Sequence, residues 1–176
     1  MKIPREIYQW VKGFFKKSAE PSVFHRHMDE EDNFSFDIEQ LLCFERAARF
    51  CYASVEMMVH NRTLRHQCQS FTKWSRTHEE ELERMLKESA SYDPKLTGEH
   101  RPYVLPSDDL TLESVLSLGS AIAKHRLEGY QELRKYLSLK NRIVVNHFIA
   151  QVIEEVKFFE REKEMVSVED ILNSMN

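Results

Sequence analysis

Proline placement sets the first limit on how this chain folds. Pro4 and Pro21 lie in the N-terminal segment, while Pro94, Pro102 and Pro106 share one central stretch. Nothing from Ser22 to Asp93, or after Pro106, contains a proline. Proline removes a backbone N–H and its ring clashes inside a helix, so long proline-free spans with helical periodicity mark where helices can run. Both spans carry that periodicity, and each is long enough for a pair of helices. With only four glycines in 176 residues, the chain is also poor in the residues that loop-rich and all-β folds need.

The first span predicts a helix from near Phe36 to about His60, with Ile38, Leu41, Leu42, Ala48, Tyr52, Val55 and Val59 on one stripe. The residues "HNRTL" then supply a stop and a start, with Asn61 as a C-terminal residue and Thr63 as an N-cap. A second helix is expected from about Leu64 to Ala90, with Leu64, Cys68, Phe71, Leu82, Met85 and Leu86 inward. "SYDPKLTGEHRPYVLPSDD" (Ser91 to Asp109) is a connection. Roughly twenty extended residues reach about 65 Å, enough to run the full length of a bundle.

In the second span Ser107 or Asp109 can cap a third helix, with Val115, Leu118, Ile122, Gly129, Leu133 and Tyr136 on its stripe. A break around Leu137 to Asn141 leads to a fourth, with Val145, Ile149, Val152, Val156 and Phe159 inward. "SVEDILNSM", with Ser167 and Asp170 at capping-box-like spacing, forms a short last segment. The expected architecture is all-α: an antiparallel four-helix bundle over 36–166, with a long crossover between helices two and three. A short helical segment over 167–176 follows it.

Residues 1–20 differ in character. "KIPREIYQWVKGFFKK" places Ile3, Ile7, Trp10, Val11 and Phe14 on one face and carries five basic residues against one acidic. Such an amphipathic helix can dock on the bundle, bind a partner protein or lie on an anionic membrane surface; a polar linker, 21–35, joins it to the bundle. The overall net charge of −4 gives no footprint for nucleic acid, which needs clustered Lys and Arg. Cys43, Cys51 and Cys68 are odd in number and widely spaced, which fits a reducing cytosol rather than a disulfide framework. No run of eighteen apolar residues and no signal-like apolar region is present.

Against this pattern stand ionisable residues at inward positions. Glu45 lies four residues after Leu41 and three before Ala48. His78 sits on the second stripe, with Glu81 beside it one turn on. His125 is three after Ile122, with Glu128 beside it, and Glu155 follows Val152 by three. Pivoting the first two helices near residue 61 and the last two near residue 140 brings Glu45, His78, His125 and Glu155 to one layer. Glu79 and Glu80 fall on the solvated face.

Buried carboxylates sharing a layer repel unless they are protonated or bridged by cations. A pair of divalent metals is one solution, with Glu oxygens and imidazoles as ligands. A hydrogen-bonded polar layer is the other, with His78–Glu81 and His125–Glu128 contacts at i,i+3 spacing.

"FERAARFCY" (Phe44 to Tyr52), "FTKWSRTHEEELERML" (Phe71 to Leu86), "SAIAKHRLEGYQEL" (Ser120 to Leu133) and "FIAQVIEEVKFFERE" (Phe148 to Glu162) resemble the four helices of the ferritin-like superfamily, most nearly its rubrerythrin-like members. The resemblance covers roughly 36–162. It implies a di-iron centre with one Glu from each of two helices and Glu-x-x-His from the other two. Glu45 matches the first-helix ligand, and the second-helix motif stands reversed as His78-x-x-Glu81. His125 occupies the third-helix Glu position, with Glu128 one turn on. The fourth helix keeps Glu155, but Phe158 replaces its partner His.

Two functions follow from the resemblance. One is a variant, di-metal centre of iron, manganese or zinc held by Glu45, His78, Glu81, His125, Glu128 and Glu155. It would act as a non-haem oxidoreductase in iron or peroxide chemistry. The other is a metal-free bundle kept as a binding or assembly module, with the N-terminal helix and the acidic run Asp29 to Asp32 as contact surfaces. Pairing into a homodimer through helix faces is compatible with either.

Overall fold

A computed structural model describes residues 30–88 and 111–174, with side-chain environments over 38–88 and 111–166. Four α-helices make up these residues: α1 (Glu30–Met58), α2 (Arg62–Glu88), α3 (Leu112–Tyr136) and α4 (Leu139–Ser174). The described residues contain no strand. The expected N-terminal helix and most of the polar linker lie outside them, as does the whole of the central connection, Ser91 to Asp109.

The helix boundaries follow from local chemistry. α1 begins at Glu30, six residues before the expected start, so the end of the supposed linker is already helical. Its partner is started by Asn61, not Thr63. The Asn61 side-chain oxygen accepts from the backbone N–H groups of Thr63 (2.9 Å) and Leu64 (3.3 Å), satisfying donors that a helix start leaves unpaired. Thr111 caps α3, in place of Ser107 or Asp109. The hydroxyls of Thr111 and Ser114 each accept from the other's backbone N–H at 3.1 Å, a reciprocal capping box.

The chain turns at Leu137, whose extended backbone ends α3 and whose carbonyl accepts from Arg142 Nη2 at 3.2 Å. α4 then runs unbroken to Ser174, so the expected separate C-terminal segment continues the fourth helix.

Pairs of side chains fix the direction of each helix. Between α1 and α2, Arg46 meets Glu79 while the later Glu56 meets the earlier Gln69 (2.6 Å). Between α3 and α4, Lys124 meets Glu160 (2.6 Å) and Arg134 meets Asn146 (3.2 Å). Between α2 and α4, Phe71 packs on Phe158 and Arg84 reaches Asn141 (3.1 Å). Between α1 and α3, Glu45 meets Tyr130 while Tyr52 meets Arg126. Every neighbouring pair is therefore antiparallel. α2 and α3, which face each other across a diagonal, run parallel, and so do α1 and α4. The end of α2 and the start of α3 lie at opposite ends of the bundle, as a long crossover requires.

The core collects the apolar stripes of all four helices, with Ile38, Leu41, Tyr52, Cys68, Leu82, Val115, Leu133, Val145 and Val152 fully buried. The stripes depart from expectation at their edges. On α3, Val115, Ile122, Gly129 and Leu133 are buried as expected and are joined by Gly119, Arg126 and Tyr130, whereas Tyr136 is exposed; Leu118, like Val59, Leu64, Ile149 and Val156 on the other helices, is partly buried against the core. Gly119 is required here by contact. A Cβ at that position would meet the ring of Phe159 at 2.3 Å, so glycine lets α3 approach α4 closely. Tyr136, Leu139 and Ile143, by contrast, leave apolar surface exposed around the α3–α4 turn.

Candidate functional site

The layer where the helices meet is polar and fully enclosed. α1 contributes Glu45 and Tyr52, α2 contributes His78, α3 contributes Arg126 and Tyr130, and α4 contributes Glu155; all six are excluded from solvent. Each sits on its helix's apolar stripe, three or four residues from its buried neighbours, so the periodicity that buries the leucines buries these groups as well.

Arg126 is the hub. Its Nε donates to Glu45 Oε1 (2.9 Å) and its Nη2 to Glu45 Oε2 (2.7 Å), a bidentate fork that matches carboxylate geometry. Its Nη1 donates to the Tyr52 hydroxyl (2.8 Å) and to Glu155 Oε2. Nη2 also lies 3.2 Å from His78 Nδ1.

The two carboxylates are unequally served. Glu45 also accepts from the Tyr130 hydroxyl (2.5 Å) and has His78 Nδ1 at 3.1 Å. Burial alone would raise its pKa. Attraction to Arg126 and His78, with hydrogen bonds from His78 and Tyr130, outweighs burial and holds it down to about 2. Glu155 receives Arg126 and Tyr52 on one oxygen only; its Oε1 has no hydrogen-bond partner among the described residues. Burial, partly countered by Arg126 and reinforced by the charge of Glu45, raises its pKa. Burial likewise lifts the Tyr52 and Tyr130 hydroxyls well above their ordinary value, so both stay protonated donors at neutral pH.

His78 is clamped from both sides. Its ring packs against Phe148, with centroids 4.0 Å apart, and edge-on against Tyr130. Nε2 lies 2.8 Å from Gln151 Oε1, a carbonyl that can only accept, so Nε2 carries a proton. Nδ1 then accepts from Arg126 when the ring is neutral, and donates to Glu45 when it is charged.

Of the residues singled out in the sequence, the structure brings Glu45, His78 and Glu155 together and leaves Glu81, His125 and Glu128 apart. Glu81 pairs with Arg84 (2.8 Å) at the surface of α2 instead of contacting His78. His125 stacks on Phe44 outside the layer, with Nδ1 3.5 Å from Glu128, whose side chain is largely exposed. Glu79, expected in solvent, is half-buried and bridges to Arg46 and Arg49 on α1.

Sequence reasoning missed Arg126. Its spacing was a usable signal: four residues after Ile122, four before Tyr130 and seven before Leu133. Arginine rarely faces a core without partners, and the partners of Arg126 lie on other helices.

The donor set differs from the one that the implied metal pair needs. Glu45 and Glu155 spend their oxygens on N–H and O–H donors, and a guanidinium fills the space between them. His78 is the imidazole that reaches the layer. Among the described residues, no group of three or more His, Cys, Asp or Glu side chains is arranged to hold a metal ion. The residues therefore do not fit a di-metal centre, because the cation position is taken by the chain itself.

No family model and no curated protein matches the chain. Among the described residues, no helix is long and apolar enough to cross a membrane.

Proposed function

We propose that this chain is a ferritin-like bundle that works by contact, as a binding or assembly module, and not as a metal-dependent oxidoreductase. The observation that carries this reading is Arg126, which forks onto Glu45 and reaches Glu155 in the enclosed centre of the bundle. A guanidinium supplies charge and donors to the carboxylates, but it has no open coordination position and no accessible redox state. It leaves the layer with nothing to bind or activate oxygen or peroxide.

Two features support the ferritin-like part: the parallel direction of α2 and α3, and the convergence of Glu45, His78 and Glu155 on one layer. The phenolic hydroxyls and the guanidinium then read as structural replacements within a bundle of that type. The sequence offers two candidate contact segments, residues 1–20 with their mixture of apolar and basic residues and the acidic run Asp29 to Asp32.

The test is metal content. Protein purified under iron-, manganese- and zinc-replete conditions is expected to hold far less than one equivalent per chain and to show no peroxide turnover above free metal. Stoichiometric metal that is lost on Glu45→Ala or His78→Ala would return the bundle to the oxidoreductase reading.

A further inference from the structure

α4 carries a second stripe, on the side turned away from the core. Leu139, Ile143, Asn146, Ala150 and Ile153 are all exposed, Leu139 and Ile143 by 75% and 64%. Their spacing alternates four and three, so at about 3.6 residues per turn they keep within roughly 40° of one line along the helix. That alternation is the seam pattern of paired helices, and an asparagine inside such a seam selects one register. Contiguous exposed apolar surface of this kind marks a contact site.

On the contact-module reading, we infer that this face of α4 pairs with the same face of a second copy of the chain, the two helices running antiparallel. Charge selects both the partner and the direction. Lys140 and Glu154 lie on one flank of the seam, seven residues before and after His147 on the same flank. A two-fold axis beside His147 sets Lys140 of each copy against Glu154 of the other, and Leu139 and Ile143 against Ala150 and Ile153. A parallel pair would instead bring the basic starts of both helices together, at Lys140 and Arg142.

Glu154 can take part, because its bond to Lys157 (2.9 Å) joins side chains 59% and 66% exposed and holds it weakly. On the other flank Arg142 is spent on the Leu137 carbonyl and Glu160 on Lys124. The segment Lys2 to Lys17 fits this face less well. Its five basic residues against one acidic would meet Lys140 with like charge.

Sedimentation equilibrium over a concentration series tests the pairing on full-length chains, with urea midpoints reporting that each variant is folded. The native chain is expected to dimerise as concentration rises. Ile143→Asp, at an exposed position, should stay folded and raise the dissociation constant on the order of a hundredfold, since each dimer contains the change twice. Lys140→Glu and Glu154→Lys should each weaken pairing roughly tenfold by setting like charges opposite each other. Mixing these two variants should restore it, because one chain then offers two acids and the other two bases.

A native chain that stays monomeric at every concentration overturns the inference, as it would with residues 1–20 seated on the face. So does a dimer indifferent to Ile143→Asp, or a mixture that pairs no more tightly than its components. The contact-module reading stands or falls separately, on metal content.

Discussion

Two ion-pair clusters occupy consecutive positions on the same two helices. Glu45 and His78 turn inward to Arg126, while Arg46 and Glu79, each the next residue along, turn outward and are joined by Arg49. Both clusters hold a glutamate below its ordinary pKa. For Glu79, as for Glu45, burial acts against the shift and arginine outweighs it. They differ in solvent. The side chains of Glu45 and Arg126 are 0% exposed, whereas those of Arg46, Arg49 and Glu79 keep 17%, 23% and 16%. A single step along the helix thus separates an interaction that water screens from one that water cannot reach.

The largest expected effect tests the inner cluster. Arg126→Met leaves Glu45 and Glu155 buried without their shared arginine, and should lower unfolding stability by about 3–5 kcal/mol in urea denaturation. A loss no greater than that of Arg49→Ala would abolish the distinction between the clusters.

Acid should reveal the same asymmetry. The Glu45 pKa falls on folding from an ordinary value of 4.5 to about 2, so its contribution is present above 4.5 and lost as pH drops towards 2. Linkage puts that contribution on the order of 3 kcal/mol. Glu45→Gln should flatten this acid limb. Glu155 behaves in the opposite sense: its pKa is raised, so its contribution is full below the unfolded value and is lost as pH rises through the folded one. Glu155→Gln should therefore improve in relative stability from acid to neutral pH, and an unchanged difference would remove the role assigned to burial.

Packing provides an intermediate effect. Gly119→Ala forces a methyl group into the Phe159 ring, which is buried and stacked on Tyr52. The expected cost is about 1–3 kcal/mol, despite alanine's better helix propensity.

The smallest effect belongs to the outer cluster. A double-mutant cycle of Arg49→Ala and Glu79→Ala should give a coupling of about 0.2–1 kcal/mol that shrinks in high salt. A salt-insensitive coupling as large as that of Glu45 with Arg126 would show that partial exposure does not set the scale.

The helices were legible in the sequence because Ile38, Leu41, Tyr52, Phe71, Leu82 and Val152 repeat with the period that one buried face imposes. Helix ends were less so. Asn61 and Thr111 cap through hydrogen bonds that several nearby polar residues were equally able to make, so the selection depends on where the turn settles. In the layer, Glu45, His78 and Glu155 stood out as ionisable groups on apolar seams. Arg126 did not, although it lies four residues after Ile122 and seven before Leu133, because an arginine faces a core only where partners await it and those partners come from other helices. Composition shows that buried carboxylates need a cation; only tertiary packing shows that α3 delivers it.

That delivery has a consequence for how the protein is made. A counter-ion carried on α3 reaches the layer with each newly synthesised chain, in a fixed ratio of one, whatever ions the surroundings contain. No chelator can withdraw it and no competing ion can displace it.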